Sequence, residues 1–228
     1  MTELWQGLTR AVQLIITLDP EVLEITGRTL RIAGASCILA SLISLPLGSL
    51  IHFGRFRGKR ALVSVIQTLF AVPTVIIGLF VFVLFSRSGP FGELGILFTP
   101  TAMVIGQMIL ITPILLGLTI SALNGVSKEI VETATSLGAS GFQLALLTLR
   151  EARYAVVAAL VLGFGRAISE LGIAMMIGGN IRGFTRVMTT AISLATTRGE
   201  LELALALGML LLLLALIINI ALNRLQQR

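Results

Sequence analysis

Apolar runs separated by short polar breaks fill most of this chain. Five runs approach or exceed the ~20 residues that a membrane-crossing helix needs. They are about Leu30 to Ile51, Ala61 to Phe85, Pro100 to Leu123, Tyr154 to Ile177 and Leu201 to Leu222. Pro73 and Pro113 fall inside the second and third and predict kinks there. The pattern predicts an all-α polytopic membrane protein, a single transmembrane domain over residues 1–228, with about five spans. Ahead of the first span, residues 1–19 are too short and too mixed to cross. Leu4, Trp5, Leu8, Val12, Ile15 and Ile16 make a loose helical face that Arg10 and Gln13 interrupt. That predicts a helix lying at the interface, with Trp5 at headgroup depth. Asp19-Pro20 restarts the chain, Asp as N-cap and Pro at the first helical position.

The polar breaks set the orientation. Between His52 and Arg60 stand Arg55, Arg57, Lys59 and Arg60, with no acid among them. The positive-inside rule puts this loop in the cytoplasm. The N-terminus is then outside, and the stretch 124–153 and the tail 223–228 are inside. Ser86 to Phe98 becomes an external loop with a Gly89-Pro90 turn signal. Gly178 to Glu200 reads as external or re-entrant.

The stretch 124–153, NGVSKEIVETATSLGASGFQLALLTLREAR, is a soluble-looking island between two spans. Ser127 can cap a short helix, with Glu129 and Glu132 near its positive end. Gly138 suits the left-handed residue that stops it. Ser140 and Gln143 have capping-box spacing for a second helix, whose apolar face is Phe142, Ala145, Leu146 and Leu149. The prediction is helix, glycine turn, helix: a compact knob offered to another protein.

Composition agrees with a membrane protein and narrows its chemistry. Of 228 residues 56% are hydrophobic and 12% charged, and mean hydropathy is +0.99. The net charge of +6 is read as a topology signal rather than as nucleic-acid binding. The one cysteine, Cys37, sits in an apolar run and cannot form an internal disulfide. The N-terminus lacks the features of a cleaved signal peptide. One Asp and one His, Asp19 and His52, both outside the membrane core, exclude an intramembrane aspartyl protease and a metal site. No Gly-x4-Gly-Lys-Ser/Thr run is present to hold ATP.

The hairpin resembles the EAA motif of ABC importer permeases, in which Glu-Ala-Ala is followed after three residues by Gly. Here Glu132, Thr133 and Ala134 precede Gly138 at that distance; Thr133 departs from the triplet, and Arg150-Glu151 stand where the family has Leu-Pro. Pro73-Thr74 with Gly78, the run 86–90, Arg166 to Gly172 and Gly178-Gly179-Asn180 resemble the spans of oxyanion permeases. The segments 148–153, 185–192 and 202–207 look most like the tungstate branch. The resemblance implies a type I ABC importer permease in a bacterial inner membrane, not an enzyme. It implies a homodimer with the path at the dimer interface. Two cytoplasmic ATPase subunits bind ATP and Mg, since this chain holds no cofactor, and a periplasmic binding protein delivers a tetrahedral oxyanion. Tungstate comes first, with molybdate or sulfate as alternatives. On the matched motif, Glu129, Glu132, Ala134, Gly138 and Ala139 carry ATPase coupling. An ion channel or a membrane scaffold is the competing class; the first needs a filter that nothing here resembles, and the second does not need charges inside a span.

Those charges are Arg166 and Glu170, at i, i+4 spacing in the fourth span. Ionisable groups in hydrocarbon are costly and normally face a bundle interior or a cavity. They are read as a gate-region pair or a static lock. A dianion needs weak guidance rather than fixed cations, so hydroxyls are candidates: Ser169, Thr189 and Ser193, with Thr185, Thr190, Thr196 and Thr197 nearby. The competing reading is that these hydroxyls bond their own backbone. Gln107 in the third span suits either guidance or an interhelical bond. Arg182, Arg186 and Arg198 lie on the side where positive charge is normally depleted and are read as contacts for the binding protein.

Overall fold

The computed structural model describes residues 2–226, with the side chains of residues 5 and 7–224. Leu4 of the expected N-terminal face and the last two residues of the tail fall outside that description. All regular structure among the described residues is helical. The chain begins with α1 (Thr2–Ile16), α2 (Pro20–Phe53) and α3 (Lys59–Thr68). A short 3₁₀ turn at Leu69–Ala71 leads into α4 (Thr74–Phe85) and then α5 (Pro100–Asn124). The hairpin is α6 (Lys128–Ser136) and α7 (Gly141–Glu151). After it come α8 (Arg153–Ile168), α9 (Gly172–Gly178), α10 (Met188–Arg198) and α11 (Leu201–Gln226).

Three helices, α2, α5 and α11, are long and apolar enough to cross a bilayer. The second and fourth expected spans are different: neither is a continuous helix. The Lys59–Ala71 and Thr74–Phe85 pieces meet at 96°, and α8 meets α9 at 57°. Pro73 causes the first break. It cannot donate to the preceding turn, and it forces Val72 out of the helical region, to φ −63°, ψ 127°. The expected kink is therefore a corner. The second break runs through Ser169–Leu171 and has no proline; its cause is the Glu170 side chain described below.

The two breaks touch. A Cβ on Gly172, the first residue of α9, would lie 2.6 Å from Thr74 Oγ1, at the start of α4. One turn further along α4, a Cβ on Gly78 would lie 3.0 Å from Met176 Cβ. The short helices α4 and α9 thus pack at backbone distance, and Gly106 of α5 leaves room for the Ile173 and Ile177 side chains of α9. Pro113 sits inside unbroken α5. The main core joins α2, α4, α5, α8 and α9 through Ala33, Ala40, Val81, Met103, Ile111, Leu115, Ala167, Ile168, Ile173 and Ile177. Of the two readings of Gln107, the interhelical bond is present: Gln107 is buried and takes the Ser36 hydroxyl at 3.2 Å, an α2–α5 bond. Cys37 packs half-buried on Leu160.

The ends are built by caps legible in the sequence. Asp19 accepts from the amides of Glu21 and Val22, with Pro20 in the first turn. The helix behind it is longer than the expected first span. At 34 residues, α2 is about 50 Å long, against ~30 Å of hydrocarbon, so it projects beyond the bilayer. Helix α1 lies along the start of α11, with Ala11 fully buried and Arg10 3.5 Å from Glu202, while Trp5 stays exposed. The stretch 178–200, expected to be external or re-entrant, contains α10.

At the opposite end His52 meets Asn124 at 2.9 Å, joining the ends of α2 and α5. The basic loop and α6 flank one cavity of about 820 Å³ there, so they share a side of the molecule. A labelling experiment tests which side. In a Cys37→Ala background, Arg57→Cys is expected to react with an impermeant thiol reagent only in inverted vesicles, and Glu93→Cys in intact cells. The reverse pattern overturns the orientation.

Candidate functional site

Three groups of sequence-selected residues can be placed. The first is the hairpin. Ser127 Oγ accepts from the Glu129 amide, and Ser140 and Gln143 form the full reciprocal capping box. Between them Gly138 holds φ +81°, a conformation that a side chain disfavours, while open space lies where its Cβ would be. Glu132 is exposed on α6, and Leu137 and Phe142 are 84% and 80% exposed on either side of the turn. The turn is thus flanked by bare apolar surface. Ala134 and Ala139 are half-buried, and the Ala139 amide bonds back to the Ala134 carbonyl.

The second group lies at the α8–α9 break. Arg166 Nη1 donates to Glu170 Oε2 at 2.8 Å. Glu170 is only 2% exposed, whereas about a third of the Arg166 side chain remains accessible. Its other oxygen, Oε1, accepts from the Ile173 amide at 3.0 Å and so caps the first turn of α9. Thr189, on α10, donates to the Glu170 carbonyl at 2.7 Å. The Glu170 carboxylate therefore neutralises a cation of α8 and starts α9, while its backbone carbonyl meets α10. Arg166 faces a groove of about 420 Å³ between α8 and α11, with Ser169 and Asn219 as further polar lining. Ser169 itself is exposed and bonds the Arg166 carbonyl.

The other hydroxyls divide by partner. Thr196 and Thr197 bond carbonyls of their own helix, as Ser and Thr often do. Thr190 accepts from the Val187 amide at the start of α10, and buried Thr185 ties Ile181 to Gly178. These four shape the backbone. Ser193 lies half-buried one turn beyond Thr189.

The third group is the arginines of the 180–198 stretch. Arg182 reaches Glu21 at 2.7 Å, and Arg186 reaches the same carboxylate at 3.5 Å and Asn180 at 3.3 Å. Arg28 donates to the Arg186 carbonyl and pairs with Glu24. A ring of charge thus fixes this loop to the first turns of α2. Arg182 is nevertheless 73% exposed, and Arg198 is exposed at the end of α10. Glu21, Glu24 and Arg28 were not selected from the sequence; the one available signal was an acid in the first turn of a helix that starts outside the bilayer. Thr29, which receives the Met188 amide at 2.9 Å, gave no signal at all.

Spans broken where they meet, a charged pair at one break and a capped helical hairpin on the face of the basic loop define a permease subunit of a type I ABC importer. The chain belongs to the family of binding-protein-dependent transport system inner membrane components, which matches residues 44–228. It is 38% identical over 222 residues, 97% of both chains, to the tungstate uptake system permease protein TupB of Peptoclostridium acidaminophilum. The Campylobacter jejuni protein of the same name is 36% identical over 86% of this chain and 82% of its own. The sulfate transport system permease protein CysW of Escherichia coli is 28% identical over 77% of this chain and 63% of its own. The same fold is found in a bacterial alginate ABC transporter, with TM-score 0.74 and 19% identity over all of this chain and 88% of that one. It recurs in the MetNI methionine ABC transporter, with TM-score 0.71 and 18% identity over 90% and 94%.

Proposed function

We propose that this chain is the membrane-spanning subunit of an importer that moves tungstate, as its dianion, from a periplasmic binding protein to the cytoplasm. The observation that carries the reading is the similarity to two tungstate uptake permeases, over 97% of this chain for one and 86% for the other. In this reading two copies form the path. Two ATPase subunits hold ATP and Mg and dock on the α6–α7 hairpins, with Glu129, Glu132, Ala134, Gly138 and Ala139 at the contact. The N-terminus is outside. Arg166, Ser169, Glu170, Thr189 and Ser193 form the gate region. The ion pair suits that role because it leaves no unbalanced cation to trap a dianion.

The test is uptake into proteoliposomes holding the permease, its ATPase and its binding protein. ATP-driven accumulation of tungstate, resisting excess sulfate, is expected. Accumulation of sulfate or molybdate in preference to tungstate would replace the substrate, and ATP-independent flux would replace the importer with a channel.

The arginine ring yields a second test. Arg182→Glu should weaken stimulation of ATP hydrolysis by the binding protein and reduce its salt sensitivity. An exposed pair is worth ~0–1 kcal/mol to the fold, so global stability should barely change. If the swap Arg182→Glu with Glu21→Arg restores full stimulation, the arginine serves the α2 contact alone and not the binding protein.

A further inference from the structure

The hairpin straddles the end of α2, and the two sides of that junction differ in chemistry. On the α7 side lies a cavity of about 690 Å³ lined by Leu45, Pro46, Leu50, Phe142, Leu146 and Leu149. Almost everything in it is carbon; Ser49 is the single hydroxyl side chain, and it is turned to the Leu45 carbonyl. On the α6 side lies the 820 Å³ cavity, lined by Arg55, Lys59 and Lys128, with Glu132 the one carboxylate. The two cavities share Phe53 and Gly54, so an apolar slot and a cationic one adjoin at the end of α2.

The dimensions match a lipid. From Leu45 to Phe53 the slot follows α2 for about 12 Å, close to the ~15 Å of one leaflet. Leu50, one of its lining residues, is 68% exposed, so the slot is open along the flank of α2. The cationic end then falls at headgroup level, at the mouth of the basic loop. Lys59 is already committed to the carbonyls of His52 and Gly54, where it closes the end of α2. Arg55 and Lys128 are left to meet a phosphate from either side.

We propose that this junction is a binding site for an anionic phospholipid of the leaflet that faces the hairpin, with an acyl chain between α2 and α7 and the phosphate between Arg55 and Lys128. The leaflet rests on the orientation proposed above; the chemistry of the site does not. A lipid held there would link the membrane to the angle of the hairpin, since its chain packs on α7 and its headgroup on α6.

The test uses one tryptophan as a reporter. In a Trp5→Phe background, Phe142→Trp places it in the slot. The full chain is reconstituted in phosphatidylcholine vesicles containing brominated phosphatidylglycerol or brominated phosphatidylcholine. Phosphatidylglycerol is expected to quench at roughly thirtyfold lower mole fraction, as the two cations near a membrane surface contribute roughly 1 kcal/mol each. Adding Arg55→Gln and Lys128→Gln should abolish the preference while leaving quenching by phosphatidylcholine. A control reporter, Leu42→Trp, lies on the same helix outside the slot and should show no preference. Equal quenching by both lipids at residue 142, or an equal preference at residue 42, overturns the site. So does relief of phosphatidylglycerol quenching by millimolar inorganic phosphate, which would assign the cations to a soluble anion. None of these outcomes depends on what the importer carries.

Discussion

Gly138→Val is expected to uncouple ATP hydrolysis from uptake while leaving the membrane bundle intact. The residue sits at φ +81°, and for an ordinary side chain the left-handed region costs ~1–2 kcal/mol, more when the side chain is β-branched. Relief requires the turn to open, which rotates α6 against α7 and separates Leu137 from Phe142. Nothing in the bundle core touches this turn, so insertion and dimerisation should persist. A loss of ~1.4 kcal/mol at the contact is already tenfold in ATPase affinity. Glu132→Ala should weaken the same proposed contact, since Glu132 is exposed on α6. Gly141→Ala is the control, because a Cβ there meets nothing within 4 Å. Co-purification of the ATPase and coupled uptake read the result. If Gly138→Val and Glu132→Ala both keep normal association and transport, the hairpin is not the coupling element.

Neutralising Glu170 should have the largest effect on stability of any single change in the bundle. Glu170→Gln strands Arg166 beside a 420 Å³ groove inside the membrane. Breaking a buried pair by removing one partner costs ~3–5 kcal/mol, and the lower end applies because Arg166 keeps about a third of its surface. Glutamine retains an oxygen for the Ile173 amide, so this variant isolates the ion pair from the cap. Glu170→Leu removes both, and losing a helix cap adds about 1 kcal/mol. The double variant Arg166→Met, Glu170→Gln should be more stable than Glu170→Gln alone. Thermal unfolding in detergent measures the cycle, and uptake measured alongside it separates lock from gate. A lock predicts that the double variant transports. A gate predicts that it folds but does not. Additive unfolding costs would show that the two residues do not interact in the working protein.

The features that the sequence displayed were those made locally. The hairpin was legible to the residue, because its caps and its left-handed glycine bond within four positions of themselves. The Arg166–Glu170 pair was legible for the same reason, being one helical turn apart. The breaks were not. Hydropathy averages across Val72-Pro73 and across Ser169–Leu171, so each broken pair looks like one span. A proline announces a bend, but whether it gives a kink or a 96° corner depends on what the next helix packs against. Here that is α9, a hundred residues on. The arginine ring failed to show for the same reason: Arg182 and Glu21 are 161 positions apart. Of the candidate hydroxyls Thr189, Thr196 and Thr197, Thr189 alone bonds outside its own helix, to the Glu170 carbonyl in the break.

The meeting of the two breaks also limits which sequences can inherit this fold. A methyl group at position 172 would press on the Thr74 hydroxyl at 2.6 Å and on the Val75 amide nitrogen at 3.2 Å. The first neighbour can rotate, but the second is backbone and yields only if α4 moves as a whole. Drift at position 172 is therefore closed by a residue nearly a hundred positions earlier. Glycines 27, 34 and 208, by contrast, have nothing within 4 Å in the chain. Those three positions are free to vary, but the segments around Pro73 and Glu170 would have to be inherited together.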